Sequence, residues 1–321
     1  MRLGLVSTAN INQQIIKGAA ESSEVEVTAV GSRDGARAQA YASEHGIPRA
    51  HASYEALLED PEVDAVYISL PNGMHHEWTL KSIEAGKHVL VEKPYSRRAA
   101  EVEEAWDAAE RAGLVVMEAF MYRHHPQIAK AKELVESGAI GRLRLVRTWF
   151  SFLLRDTSNV RMLPDLDGGA LMDVGCYTVS GARLFGGEPE SLTADQVVGP
   201  TGVDVDFYIT ARFPNEVVAR LDSSFTMPRR QRLEAIGEEG SVVLEAPWRV
   251  DWGGRLLLDR EDGVEEVEVP DANPYRLELE NLERAIRGEE PPLLGREDAL
   301  GQARMIESAY RAAETTQPVT F

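Results

Sequence analysis

Short apolar runs alternate with amphipathic stretches over residues 1–120 of the chain. Runs of this length, bounded by turn residues, are typical of strands buried on both faces of a parallel sheet. The stretches between them carry apolar residues at helical spacing, and two of them end at Gly86 and Gly113, which stop helices well. The predicted strands are residues 3–6, 25–30, 65–69, 88–91 and 114–117, and the predicted helices are residues 11–22, 35–45, 77–85 and 99–112. We therefore expect a doubly wound α/β Rossmann domain over residues 1–120.

The pattern changes after residue 120, where longer strands follow one another with short links. Links such as FPNEV and GEEGS suit antiparallel neighbours. The predicted strands are residues 142–155, 205–213, 217–225, 232–237, 241–245, 255–259 and 264–269. The predicted helices are residues 127–136, 276–287 and 296–315, and a Gly-rich loop and a helix together occupy residues 167–184. We expect an α+β domain over residues 121–321 with a large, mostly antiparallel open sheet. A helix or another subunit would cover the open face, which favours a homodimer or homotetramer.

The composition, 43% hydrophobic and 27% charged residues, is that of an ordinary globular protein. The net charge of -19 argues against nucleic acid or an anionic membrane surface as a partner, because both attract clustered Lys and Arg. No apolar run approaches the ~20 residues of a membrane helix. The single cysteine, Cys176, cannot form an intramolecular disulfide, and the N-terminus opens at once into a strand. These features predict a cytoplasmic protein in which Cys176 is a buried thiol.

The stretch LGLVSTANIN, residues 3–12, runs from the first strand into the turn where dinucleotide-binding proteins carry G-x-G-x-x-G. Ser7, Ala9 and Asn12 stand at the three glycine positions, and all three are short enough to let the backbone approach a phosphate. The amides of Asn10 and Ile11, at a helix N-terminus, could then bind it. The residues expected at the pyrophosphate are Ser7, Thr8, Ala9, Asn10 and Ile11. On this motif alone, an ordinary strand–helix turn remains an alternative.

The second strand ends in TAVGSRD, residues 28–34, and bears on the choice of cofactor. NAD sites place an acid about 20 residues beyond the third glycine, at the ribose hydroxyls. Ser32 stands there instead, Arg33 follows it, and Arg37 lies one helical turn further on. A hydroxyl and a guanidinium fit a 2′-phosphate, so the pattern favours NADP over NAD. The alternative is that Arg33 is a solvated surface arginine.

Four further motifs follow in order along the chain: AVYISLPNGMHHEW, AGKHVLVEKP, EAFMYRHHPQ and GGALMDVGCY. With them the chain resembles the Gfo/Idh/MocA oxidoreductase family over essentially its whole length. Its STAN turn, its EAFMYR segment and Tyr177 are most similar to the branch of dihydrodiol dehydrogenases and NADP-dependent sugar dehydrogenases. The resemblance implies that further residues contact the cofactor, namely Leu70, Pro71, Asn72, His75, Glu92, Lys93 and Arg123. The neighbouring histidines of the pairs 75–76 and 124–125 diverge from each other, so we predict no metal.

Candidate catalytic groups lie in two of these motifs. Lys93 ends a predicted parallel strand, where ligands of such sheets bind, and Glu92 could hold its ammonium group. Asp173 and Tyr177 are four residues apart, so on a helix they share a face. A phenol with an ordinary pKa of about 10 is a weak base, but a nearby ammonium group would lower that pKa. Without the other motifs, Asp173 could equally cap a helix and Tyr177 could be a half-buried aromatic residue.

The resemblance implies roles for these three residues. Tyr177, where the family usually has histidine, would transfer the proton. Lys93 would be its electrostatic partner and a hydrogen-bond donor to the substrate, and Asp173 would accept a substrate hydroxyl. The implied reaction is NADP-dependent oxidation of an aldose of the xylose or glucose type at C1 to the lactone. Alternatives are a keto-sugar reductase, a trans-dihydrodiol dehydrogenase and a non-catalytic NADP-binding sensor. Specificity is expected in the loops at residues 154–167 and 248–254.

Overall fold

The computed structural model describes residues 1–249 and 253–321, so residues 250–252 of the predicted 248–254 loop lie outside the described residues. The chain forms two compact units. The first consists of Met1–His124 and Asn273–Leu300, and the second of His125–Ala272 and Gly301–Phe321.

A six-stranded parallel sheet is the centre of the first unit, in the order β3-β2-β1-β4-β5-β6. Its strands are β1 (Arg2–Val6), β2 (Glu26–Gly31), β3 (Arg49–His51), β4 (Ala65–Ile68), β5 (His88–Glu92) and β6 (Val116–Ala119). Its first five helices are α1 (Asn12–Ala20), α2 (Gly35–His45), α3 (Tyr54–Leu58), α4 (His75–Glu84) and α5 (Ala99–Ala112). This strand order is that of the Rossmann fold, and it reverses direction between β1 and β4. The predicted fold class is confirmed, while β3 and α3 are additional short elements.

The second unit is built on a nine-stranded sheet in the order β14-β13-β12-β11-β7-β10-β9-β8-β15. Its strands are β7 (Leu143–Ser151), β8 (Ser191–Val198), β9 (Asp204–Phe213), β10 (Val217–Ser224), β11 (Arg230–Gly237), β12 (Gly240–Leu244), β13 (Leu256–Arg260), β14 (Gly263–Glu266) and β15 (Val319–Thr320). Two helices of this unit are α6 (Pro126–Glu136) and α7 (Cys176–Gly186). Among the described strands, β7 and β10 pair in parallel and the other neighbours are antiparallel, as predicted for a mostly antiparallel sheet.

The C-terminal part of the chain contributes to both units through α8 (Pro274–Ile286) and α9 (Arg296–Thr315). Helix α8 packs on α1 within the first unit, although the sequence-based division places it in the second domain. Gly18 of α1 makes this contact possible, because a Cβ atom at Gly18 would lie 2.8 Å from the backbone nitrogen of Arg276. In the part of the chain that the structure describes, no helix has the length and apolarity to cross a membrane.

Candidate active site

The predicted site residues divide between the two units. The nucleotide-binding residues and Lys93 belong to the first unit, and Asp173 and Tyr177 belong to the second. Over residues 1–249 and 253–321, no group of three or more His, Cys, Asp and Glu side chains is placed to hold a metal ion.

The turn after β1 adopts a backbone conformation that glycine normally provides. Ser7 has a φ angle of 128°, a region that costs a side-chain-bearing residue about 1–3 kcal/mol. Its hydroxyl stabilises the turn, since Oγ accepts the N–H of Ala9 at 3.1 Å and lies 2.7 Å from Ser69 Oγ. Asn12 donates Nδ2 to the Ser7 carbonyl at 2.8 Å and accepts Ser69 Oγ at 2.6 Å. Side-chain hydrogen bonds therefore maintain a glycine-type turn without its glycine.

This turn lies where ligands bind in doubly wound sheets. Ser7 follows β1 and Ser69 follows β4, the two strands between which the order reverses. Helix α1 begins at Asn12, one residue later than predicted, and its first amide bonds the Ala9 carbonyl at 3.1 Å. The position and tightness of the turn fit a pyrophosphate, and binding by residues 7–11 stays a prediction.

Two exposed arginines follow β2, and the carboxylate beside them is engaged in capping a helix. Ser32 is buried, whereas Arg33 and Arg37 are exposed, and within the described residues neither guanidinium has an ion-pair partner. The neighbouring carboxylate of Asp34 caps α2, because its Oδ1 accepts the amides of Ala36 and Arg37 at 2.9 and 3.1 Å. The local residues therefore fit a 2′-phosphate.

The ring of His75 contacts the backbone after β4 and after β5, next to Leu70 and Lys93, two of the predicted cofactor contacts. Its ring is fully buried, with Nδ1 2.9 Å from the Pro94 carbonyl and Nε2 2.8 Å from the Leu70 carbonyl. The Lys93–Pro94 peptide bond between these contacts is cis. Cofactor contact by Leu70, Pro71, Asn72 and His75 stays a prediction. The buried His75 ring supports the backbone of the two neighbouring loops.

Glu92 bonds the backbone of Lys93, and its charge acts on a second, buried carboxyl group. One oxygen of Glu92 accepts the hydroxyl of Tyr67, and the other accepts the Lys93 backbone N–H at 3.2 Å. Glu278 of α8 is fully buried, and among the described residues no donor contacts either of its carboxyl oxygens. Burial, reinforced by the charge of Glu92, raises the pKa of Glu278 well above its usual range. Burial therefore favours the neutral form of Glu278 in the folded protein.

Glu278→Gln is expected to raise the midpoint of thermal unfolding, by an amount that increases with pH. The unfolded chain ionises Glu278 with a pKa of about 4.3, while burial raises the pKa of this group in the folded protein, so the wild type loses stability as pH rises above the unfolded value. Glutamine copies the neutral acid and cannot ionise. Unfolding midpoints between pH 4 and pH 8 measure the effect, with the less buried Glu280→Gln on the same helix as control. A difference that does not change with pH would contradict it.

Asp173 lies in a π-helical turn, a feature that the predicted Gly-rich loop and helix over residues 167–184 did not include. The π turn spans Leu171–Gly175 and continues into α7 at Cys176. The Asp173 side chain is 15% exposed and accepts the Arg161 Nε–H at 2.7 Å. Arg161 belongs to the loop at residues 154–167 that was expected to carry specificity.

Tyr177 packs within an aromatic cluster of the second unit. Its ring centroid lies 5.6 Å from that of Phe150 and 5.7 Å from that of Trp248, and 8% of the residue is exposed. Phe152, on the same face of the chain as Phe150, packs on Phe225 with centroids 5.2 Å apart. Cys176 is buried, as predicted, with Sγ 3.4 Å from the Asp173 carbonyl.

Arg123 ends the EAFMYR segment and pairs with an acid from α9. Its Nη1 lies 3.3 Å from Asp298 Oδ1, and both side chains are largely buried. Cofactor contact by Arg123 stays a prediction.

Sequence reasoning missed Asp298, Glu278 and Arg161, although Glu278 gave a signal. It occupies a core position in the helical repeat of Tyr275, Leu279 and Leu282.

Comparisons with known proteins agree over both units. A family model described as an oxidoreductase family with an NAD-binding Rossmann fold matches residues 1–120, and one described as the GFO/IDH/MocA C-terminal domain matches residues 128–243. The chain is 41% identical over 319 residues to D-xylose 1-dehydrogenase (NADP(+)) 2 of Haloferax volcanii, covering 98% of each chain.

Two solved structures share the whole architecture. The aldose-aldose oxidoreductase of Caulobacter crescentus, in complex with glycerol, is 27% identical with a TM-score of 0.92 and covers 100% of both chains. A 3-ketoreductase of Actinomadura kijaniata, in complex with NADP and TDP-benzene, is 28% identical with a TM-score of 0.91 and covers 97% of both chains.

Proposed function

Because the chain belongs to the GFO/IDH/MocA oxidoreductase family, we propose that it is an NADP-dependent sugar dehydrogenase that oxidises an aldose at C1 to the lactone. The family and the enzyme class predicted from the motifs are thereby confirmed. The 41% identity to the Haloferax xylose dehydrogenase carries the choice of aldose and of NADP. Ser32, Arg33 and Arg37 at the end of β2 support the same cofactor.

The proposed mechanism assigns one task to each candidate residue. Residues 7–11 would hold the pyrophosphate, and the groups at the end of β2 would hold the 2′-phosphate. When bound, the cofactor would supply the hydride acceptor. The Tyr177 phenolate would take the proton of the C1 hydroxyl as C1 gives up its hydride. Lys93 would stabilise the phenolate, and Asp173 would accept a second hydroxyl.

Keto-sugar reduction is the second candidate function. The Actinomadura 3-ketoreductase shares the fold over 97% of the chain, and the same proton-transfer group would serve the reverse direction. Trans-dihydrodiol oxidation and a cofactor-binding sensor are the further alternatives. We also propose a homodimer or homotetramer through the outer face of the nine-stranded sheet. In the register of β7 with β10, Arg147 lies opposite Arg220 on that face, and Trp149 lies opposite Asp222.

A substrate screen tests the proposal. The purified protein is expected to reduce NADP with at least one aldopentose or aldohexose, measured by absorbance of the reduced nicotinamide, with higher kcat/KM for NADP than for NAD. Polyols, keto-sugars with NADPH and a trans-dihydrodiol form the comparison set. Turnover confined to the keto-sugars would favour the reductase. NADP binding without turnover of any substrate would favour the sensor.

A further inference from the structure

The π turn that carries Asp173 precedes α7 directly and departs from regular α-helical hydrogen bonding. Bonds from i to i+5 accommodate one extra residue, and such turns occur mostly as isolated bulges, frequently at functional sites. At both ends of Leu171–Gly175, side chains from distant parts of the second unit bond this backbone.

Asp204, at the start of β9, holds the beginning of the turn. It is 4% exposed, and its Oδ2 accepts the Leu171 amide at 2.7 Å. Its Oδ1 accepts the hydroxyl of Tyr310, from α9, at 2.9 Å. Gly169 makes room for this carboxylate, because a Cβ atom there would lie 2.1 Å from Asp204 Oδ1. The φ angle of Gly169, 128°, is also one that glycine favours.

Gln302, also of α9, holds the end of the turn. Its Nε2 donates to the Cys176 carbonyl at 2.7 Å, and its Oε1 lies 3.4 Å from Nη1 of Arg183. The Thr178 hydroxyl donates to the preceding carbonyl, that of Gly175, at 2.8 Å. The helix α9 therefore contacts the polypeptide on both sides of Asp173, one contact through Asp204 and the other directly.

We propose that Asp204, Tyr310 and Gln302 are positioning residues that hold the π turn and thereby set the places of Asp173 and Tyr177. The inference rests on the proposed function of those two residues. Asp204 bonds the backbone two residues before Asp173, Gln302 bonds it one residue before Tyr177, and Tyr310 acts through its hydrogen bond to Asp204. A bulged turn has the regular α-helix as its competing conformation, and that change would rotate Asp173 relative to Tyr177. The Asp204 and Gln302 bonds anchor the backbone at the two ends of the bulged form.

Tyr310→Phe is the sharpest test, because it removes one hydroxyl and keeps the ring contact with Phe207. We expect kcat on the best aldose to fall between about 10-fold and 100-fold, the size of effect that a small misplacement causes, with the NADP Kd unchanged. Tyr54→Phe, a buried tyrosine of the first unit, is the control. Asp204→Asn, which replaces the acceptor of the Leu171 amide, is expected to act in the same direction.

A second readout does not depend on turnover. The tyrosinate absorbance of each protein is recorded against pH. Subtracting the curve of its Tyr177→Phe counterpart leaves the titration of Tyr177. We expect this titration to shift by more than half a pH unit in the Tyr310→Phe background and to stay unchanged in the Tyr54→Phe background. A lower thermal midpoint with unchanged kcat and an unchanged Tyr177 titration would overturn the inference, since that is the result of a merely structural contact. If the wild type oxidises no aldose, the proposed function fails, and the titration still decides the positioning role.

Discussion

Replacing Tyr177 by phenylalanine is expected to lower kcat for aldose oxidation by a factor between about 10² and 10⁴, the usual contribution of a general base. The NADP Kd should stay at the wild-type value. Phenylalanine keeps the ring that packs between Phe150 and Trp248, so the aromatic cluster persists. The substitution therefore removes the hydroxyl alone, and the loss reports proton transfer.

The pH profile gives the same prediction a second check. If the phenolate is the base, kcat for oxidation rises from neutral toward alkaline pH in the wild type. Lys93→Met should move that rise to higher pH, because it removes the ammonium group proposed to stabilise the phenolate. Steady-state rates across this range, with Tyr54→Phe as control, measure both effects. A profile that is flat from neutral to alkaline pH, or a Tyr177→Phe variant with wild-type kcat, would make Tyr177 an ordinary packing residue.

The first unit was predictable because its signals are local. Helix α2 spans the predicted residues, since Asp34 caps its first turn and Gly46 ends it with a φ of 68°. The strand β3 was missed because Arg49–His51 is too short to show any period. The loss of glycines at the turn after β1 was readable from sequence as a departure from the fingerprint. The hydrogen bonds by which Ser69 compensates for that loss could not be read from the sequence, because Ser69 follows a different strand.

The candidate site was only partly predictable for the same physical reason. Lys93, Asp173 and Tyr177 stand in recognisable motifs, but the groups that support them are remote in sequence. Asp204 bonds a turn that lies 33 residues away, and the helix that carries the buried Glu278 packs on the distant helix α1. A helical repeat shows which face of a helix is apolar. It does not show which other element will cover that face.

Arg33→Ala is expected to raise the KM for NADP between about 10-fold and 100-fold and to leave the KM for NAD nearly unchanged. A charge-assisted hydrogen bond contributes about 1.5–3 kcal/mol, and 1.4 kcal/mol corresponds to tenfold in affinity. Only NADP carries the 2′-phosphate, so only NADP loses the contact. Arg33 is exposed and, within the described residues, has no ion pair to lose, so the fold should be unaffected. Arg111→Ala, at an exposed position of α5, is the matched control.

Combining Arg33→Ala with Ser32→Asp is expected to reverse the preference in favour of NAD. Ser32 follows β2 at the expected ribose position, where a carboxylate would accept the two ribose hydroxyls and repel a 2′-phosphate. The existing Asp34 does not have this effect because its Oδ1 is bonded to the amides that begin α2.

The kcat/KM values for the two cofactors at saturating aldose measure the switch. Equal losses for both cofactors would show that the substitutions disturb the fold, and no loss for either would make Arg33 a solvated surface residue. A selective loss for NADP places the 2′-phosphate at the end of β2.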